Sequence, residues 1–155
     1  MRITTYKTYI DANQHNFLVK ENSTNYTAVK SLNTPFQIYE VMKNVFHLHE
    51  LAEEETYLIC LNSSNIPTGF FLVGKGTVNA CPINTRDIFI RALLSSAVRI
   101  VLCHNHPSQD TTASKQDIFL TKKVQEAGTL LGIPLADHII ICENSYFSFY
   151  EADML

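Results

Sequence analysis

The feature that most constrains this fold is an apolar run that leads directly into two histidines. Residues 98–103 read Val-Arg-Ile-Val-Leu-Cys, and His-Asn-His-Pro follows at once. A short run rich in β-branched residues predicts a buried central strand. Alternate residues of a strand project to the same side, so His104 and His106 are expected to point to one place. That place is the carboxyl end of the strand, where open α/β sheets bind their ligands.

A helix is expected to begin ten residues after the first of these histidines. Ser114 and Asp117 have the spacing of a capping box, and an aspartate in the first turn also suits the positive end of the helix dipole. Apolar residues recur at helical spacing over residues 118–131, and Gly132 with Pro134 predicts the end of the helix. A helix cap alone would therefore account for Ser114 and Asp117.

Other patterns place further helices and strands on both sides of this segment. Thr34, Pro35 and Gln37 predict the capped start of a helix that ends near residues 49–52. The remaining runs predict a hairpin at 57–61 and 69–73, a helix at 85–97, and closing strands at 136–142 and 146–149. This order predicts a mixed α/β (α+β) fold, with one mixed sheet flanked by helices.

The domain is expected to span residues 34–155. Residues 1–33 are rich in Thr, Asn, Tyr and Lys. Within them only the weakly alternating segment 2–10 suggests a strand, and the rest has no clear period. We therefore expect residues 1–33 to form an N-terminal arm or a poorly ordered lead-in.

The overall composition narrows the possible classes of protein. The 155 residues carry a net charge of −3 and contain no long basic cluster, whereas dedicated DNA-binding domains usually have a strongly basic face. The four cysteines are far apart and are interpreted as buried free thiols, so a metal site would have to use His and carboxylate ligands. There is no secretory signal and no run long enough to span a bilayer, which predicts a cytoplasmic protein without a membrane partner.

His104, His106 and Asp117 together form the ligand set of a catalytic zinc site. Two histidines and one carboxylate leave a fourth coordination position open for water. Bound Zn²⁺ lowers the pKa of that water to roughly 7, which makes hydroxide available at neutral pH. The sequence therefore predicts a hydrolytic zinc centre where the strand meets the helix.

The same stretch resembles a known metalloprotein signature. His-x-His-Pro, six residues, Ser, two residues and Asp is the JAMM motif of MPN/JAB-domain metalloproteins, and residues 104–117 match it without a gap. The chain looks like the RadC-like branch of that family over residues 36–155. The segments that carry this closer likeness are His-Asn-His-Pro-Ser at 104–108, Gly-Thr-Val-Asn-Ala at 76–80, Arg86 with Phe89 and Ala92, and Asp-His-Ile-Ile at 137–140.

The resemblance implies a role for each residue of the motif. His104, His106 and Asp117 match the zinc ligands, and Ser114 matches a serine that hydrogen-bonds the bound water or the oxyanion. The family's general base is a glutamate on an early strand, eight residues before the Asp or Asn that closes it. Asn62 then selects Glu54, with its neighbours Glu53 and Glu55 as alternatives. His138 is either a partner of a ligand or a core histidine, and the core interpretation is slightly favoured.

The resemblance also implies a fold and three possible functions. The family fold is similar to that of cytidine deaminases, but the deaminase signature is absent. The first hypothesis is a zinc-dependent metallopeptidase or isopeptidase that acts on a peptide or an isopeptide-linked protein. The second is a DNA-associated protein of repair or mobile elements, with nuclease activity as one option, although the charge does not support nucleic-acid binding. The third is a non-catalytic MPN scaffold.

Overall fold

A mixed β-sheet organises this protein in a computed structural model that describes residues 1–76 and 83–155. Its strands are β1 (Arg2–Ile10), β2 (Asn16–Asn25), β3 (Glu55–Leu61), β4 (Pro67–Lys75), β5 (Arg99–Asn105), β6 (Leu135–Ile141) and β7 (Tyr146–Ser148). Within the described residues, three α-helices accompany them, namely α1 (Pro35–Asn44), α2 (Thr85–Leu94) and α3 (Lys115–Leu131). The strand order is β2-β1-β4-β3-β5-β6-β7, which confirms the mixed sheet flanked by helices.

Strand β5 lies between β3 and β6 and separates two hydrophobic layers. It pairs antiparallel with β3 and parallel with β6. Ile100 and Leu102 pack on the layer that contains residues of α2 and α3. Val101 and Cys103 pack on the opposite layer, with α1. By the same alternation, His104 lies on the α2–α3 face of the sheet and Asn105 on the α1 face.

Most of the predicted elements are present, with shifted ends. Helix α1 begins with the capping box of Thr34 and Gln37. It ends at Asn44 rather than near residues 49–52, because His47 adopts a left-handed conformation (φ 51°). The short 3-10 helix Leu48–Glu50 that follows places the Leu48 side chain in the core. Burial of this leucine explains why the apolar pattern continues beyond the helix.

The first 33 residues contain a β-hairpin. Strand β1 corresponds to the segment suggested by the alternation, and β2 pairs with it antiparallel over its length. The hairpin joins the sheet through β1, which pairs parallel with β4 at Thr5 and Phe70. Strand β2 had no sequence signal because nearly all of its residues are exposed, so no alternation of apolar residues is needed.

Two other expectations concern the cysteines and the membrane. Cys60, Cys103 and Cys142 are buried free thiols, as predicted. Cys81 lies outside the described residues, as do residues 77–80 of the Gly-Thr-Val-Asn-Ala segment. Among the described residues, no helix has the length and apolarity needed to cross a membrane.

Candidate metal centre

Three side chains from two elements converge beside the carboxyl end of β5. His104 is the next-to-last residue of β5, His106 follows the strand, and Asp117 lies in the first turn of α3. The two Nε2 atoms of the histidines are 3.0 Å apart. Asp117 Oδ1 is 3.2 Å from His104 Nε2, and its Oδ2 is 3.5 Å from His106 Nε2. These are the only three residues among those described whose ligand atoms cluster in this way.

The spacing and the chemistry of these atoms suit one divalent ion. Two ligands placed tetrahedrally at 2.0–2.1 Å from zinc are separated by about 3.3 Å, close to the distances found here. His106 Nδ1 lies 2.6 Å from the carbonyl oxygen of Asp110. Because a carbonyl can only accept, Nδ1 carries the proton and the lone pair of Nε2 faces the cluster. The residues present therefore fit a zinc ion.

The charge of the Asp117 carboxylate also favours binding of a cation at this site. Burial acts to raise the pKa of Asp117, but its hydrogen bonds with His104 and His106 hold that pKa well below its usual range. The hydrogen bond with Asp117 in turn raises the pKa of His106. A metal that binds here uses the same nitrogen lone pairs that a proton would use, so metal binding and protonation compete.

The capping box predicted for α3 is present at the same site. Asp117 N–H donates to Ser114 Oγ (3.1 Å), and Asp117 Oδ2 accepts from Ser114 N–H (2.7 Å). A carboxylate has enough lone pairs to accept this bond and bind a metal as well. The cap therefore orients Asp117 toward the histidines rather than competing with a ligand role. Ser114 Oγ accepts in the cap, which leaves its hydroxyl proton for another partner.

Among the three consecutive glutamates, Glu54 lines the same cavity as the metal cluster. This cavity has a volume of about 1130 Å³, and its walls include Glu54, His104 and Asp117. Burial raises the pKa of Glu54, and the charge of Asp117 also raises it, whereas His104 and His106 act to lower it. Glu53 and Glu55 instead form ion pairs with Lys75, each at 3.0 Å. The structure thus brings Glu54 to the site and directs its neighbours to Lys75.

Asn105 holds the turn that carries Glu54, a role that the sequence did not reveal. Its Oδ1 accepts from Glu55 N–H (2.8 Å) on one side of Glu54. Its Nδ2 donates to the carbonyl of Glu53 (3.0 Å) on the other side and approaches that of Leu51 (3.4 Å). Strand alternation directs the residue between the two histidines away from the site. Asn105 does face away, and in that position its hydrogen bonds connect strand β5, which carries His104, to the turn that carries Glu54.

His138 lies in the core and also contacts a ligand histidine. Its Nε2 is 2.9 Å from His104 Nδ1, and its ring is completely buried. Burial lowers the pKa of His138 well below its usual range. Both interpretations made from the sequence therefore describe it. The register between β5 and β6 places His138 beside Leu102, so its side chain shares the face on which His104 lies.

The rest of the cavity follows one face of α3. Its walls there combine apolar and charged side chains, which are Phe119, Leu120, Lys123, Glu126, Ala127 and Leu130. Phe119 and Leu130 are 63% and 87% exposed, so this side of the cavity is open to solvent. His106 and Ser114 do not line the cavity. Both contact Asp117 beside the cavity.

Comparison with known proteins identifies a family. The profile described as the RadC-like JAB domain matches residues 32–154. A UPF0758 protein of Clostridium botulinum (strain Okra) is 40% identical over 120 residues, which cover 77% of this chain and 52% of that protein. A UPF0758 protein of Clostridium beijerinckii is 39% identical over 108 residues, covering 70% of this chain and 47% of the relative.

The chain thus spans about half the length of these curated relatives. The matched region contains the sheet from β3 onward, the three helices and every residue of the candidate metal centre. The profile match and the identities lead to the same conclusion: the chain belongs to the family of RadC-like JAB domains.

Proposed function

We propose that this chain is a zinc-dependent hydrolase of the JAMM type that cleaves peptide or isopeptide bonds. The proposal is supported mainly by the different surroundings of two carboxylates, Asp117 and Glu54, in one cavity. Asp117 places its two carboxylate oxygens beside the Nε2 atoms of both histidines, as the third ligand of one metal ion would. Glu54 lines the same cavity without belonging to the ligand cluster, and its pKa is raised by burial. A carboxylate with a raised pKa suits proton transfer near neutral pH.

Each residue then has a defined task. His104, His106 and Asp117 would hold a divalent ion, which would supply Lewis-acid chemistry for a carbonyl and for water. Glu54 accepts the proton of the attacking water and delivers it to the leaving amine. The Ser114 hydroxyl donates its unused proton to the oxyanion that develops on the carbonyl oxygen.

The cavity favours a polypeptide as the substrate class. It continues from the metal cluster along α3, past apolar side chains such as Phe119 and Leu130 and past the charged side chains of Lys123 and Glu126. Mixed apolar and charged walls suit an extended peptide, whose side chains vary along its length. A uniformly basic groove, which a nucleic-acid backbone would require, is not what these residues form.

Metal content is the first test. Untagged wild-type protein is expected to contain about one zinc per chain by mass spectrometry, and His106→Ala and Asp117→Asn are expected to lose it. His15→Ala is the matched control, because His15 is exposed and pairs only with Asp11. A wild-type protein that takes up no metal even when zinc is supplied would leave a non-catalytic scaffold as the better description.

The second test addresses the chemistry. Glu54→Gln is expected to retain zinc and to abolish cleavage of fluorogenic peptides or isopeptide-linked substrates. Glu53→Gln, which removes a partner of Lys75 rather than a group in the cavity, should keep both zinc and activity. Normal turnover by Glu54→Gln would refute its role as the base. Salt-sensitive DNA binding without any peptidase activity would instead support the DNA-associated alternative.

A further inference from the structure

A chain of buried hydrogen bonds connects two of the ligand residues behind the metal cluster. The Thr121 hydroxyl donates to the backbone carbonyl of Asp117 (2.6 Å). Its oxygen lies 2.7 Å from His138 Nδ1, and His138 Nε2 lies 2.9 Å from His104 Nδ1. Thr121, His138 and His104 are each at most 1% exposed, so water does not take part in this chain.

Each atom in this series of hydrogen bonds can be assigned as a donor or an acceptor. Two oxygens 2.6 Å apart need a proton between them, and only the Thr121 hydroxyl can supply it to the Asp117 carbonyl. The hydroxyl has no second proton, so its oxygen must accept from His138 Nδ1–H. The completely buried His138 ring contacts a hydroxyl and a second imidazole through its two nitrogens rather than a carboxylate, so a charge on it would be uncompensated. The ring therefore carries a single N–H, and His138 Nε2 is an acceptor. His104 Nδ1 must therefore carry a proton and donate it to His138.

We propose that Thr121 and His138 are positioning residues that hold His104 in the tautomer that presents the lone pair of Nε2 to the metal. The proposal rests on the metal site proposed above. In the opposite tautomer, the proton would occupy His104 Nε2, the atom that lies 3.2 Å from Asp117 Oδ1. Metal binding would then have to expel that proton first. The tautomer of His106 is set independently, by the carbonyl of Asp110.

Packing also fixes the plane of the intermediate ring. His138 stacks on Phe149, with ring centroids 5.0 Å apart and an interplanar angle of 10°. Phe149 is itself completely buried. The His138 ring therefore cannot turn to find another partner. If the Thr121 hydroxyl is removed, the His138 ring cannot rotate, so its proton has to move from Nδ1 to Nε2.

Thr121→Val tests this arrangement with little change in shape. Valine removes the acceptor for His138 Nδ1–H, so His138 is expected to move its proton to Nε2 and donate to His104 Nδ1. His104 then carries its proton on Nε2. Two-dimensional ¹H–¹⁵N spectra of the metal-free protein distinguish the tautomers. In the wild type, His104 and His138 are both expected to carry the proton on Nδ1. In Thr121→Val, both are expected to carry it on Nε2. Zinc affinity, measured by competition with a chromophoric chelator, should fall by about 10–100-fold.

Two further variants separate positioning from helix stability. Thr121→Ser keeps the hydroxyl and should restore both the wild-type tautomer and the zinc affinity. Thr129→Val removes the same type of bond to the carbonyl four residues earlier, since Thr129 Oγ1 donates to Gln125 O (2.9 Å) at an exposed position. It should leave the tautomers and the zinc affinity unchanged.

The tautomer of the metal-free wild type tests the inference without any substitution and without zinc. Nε2–H on His104 in that protein would overturn it, as would a Thr121→Val variant with unchanged tautomers and unchanged zinc affinity. Failure of the wild type to bind zinc would overturn the proposed function instead, and the spectra would still decide whether the proton chain exists.

Discussion

Replacing Asn105 with alanine is expected to destabilise the protein through the turn that carries Glu54. In the variant, the buried Glu55 N–H loses its acceptor, and the part-buried Glu53 carbonyl loses its donor. Leaving one buried backbone group without a partner costs about 1–3 kcal/mol. The Glu55 N–H accounts for most of the loss, because water can partly reach the carbonyl. The free energy of unfolding should therefore fall by about 3 kcal/mol, which lowers Tm by about 6–12 °C for a chain of this size.

Thermal unfolding followed by circular dichroism in the presence of a chelator measures this loss apart from any metal. Asn62→Ala is the matched control, because the Asn62 side chain also bonds two backbone groups, but at an exposed turn. Its Oδ1 accepts from Ser64 N–H (2.9 Å) and Ile66 N–H (3.0 Å). Water replaces those bonds, so its Tm should change by less than half as much. An Asn105→Ala variant that melts with the wild type, or with Asn62→Ala, would refute the reasoning.

Three other variants or treatments have defined outcomes. Burial raises the pKa of Glu54, so the ionised form costs stability above that pKa. Glu54→Gln should therefore raise the Tm of the metal-free protein by about 1–3 °C at pH 7, a gain that shrinks toward about pH 4 in a series of melts. In Gly128→Ala the new Cβ would lie 2.5 Å from Ile133 O. The clash, typically 1–3 kcal/mol, should exceed the gain in helix propensity of about 1 kcal/mol and lower Tm in the same assay. Burial raises the pKa of Cys60 to about 12, so peptide mapping should find Cys60 alkylated at pH 8 only after unfolding.

Features set by neighbouring residues were predictable from the sequence. Both capping boxes lie where the sequence placed them, because a cap depends on residues three apart. The side shared by His104 and His106 follows from strand alternation in the same way. The end of α1 was predicted too far along the chain. Burial of Leu48 in a separate turn mimics the apolar repeat of a longer helix.

Features set by pairing between distant segments could not be predicted in this way. The family spacing favoured Glu54, but the sequence does not show that Lys75, on another strand, pairs with both of its neighbours. The contact of His138 with His104 depends on the register between β5 and β6. The roles of Asn105 and Thr121 depend likewise on backbone groups that the fold brings beside them. Residue spacing alone carries no information about these contacts.

The N-terminal hairpin determines which border the sheet offers to other molecules. Strand β4 contains the completely buried Phe70 and the nearly buried Phe71, and β1 covers its outer side. Left uncovered, a strand with such side chains would be a template for self-association. Strand β2 forms the border instead and exposes Lys20 and Glu21, and charged groups on an outer strand oppose such pairing. The hairpin thus protects the sheet from edge-to-edge aggregation. Removing it should reduce the solubility of the domain more than it affects the metal centre.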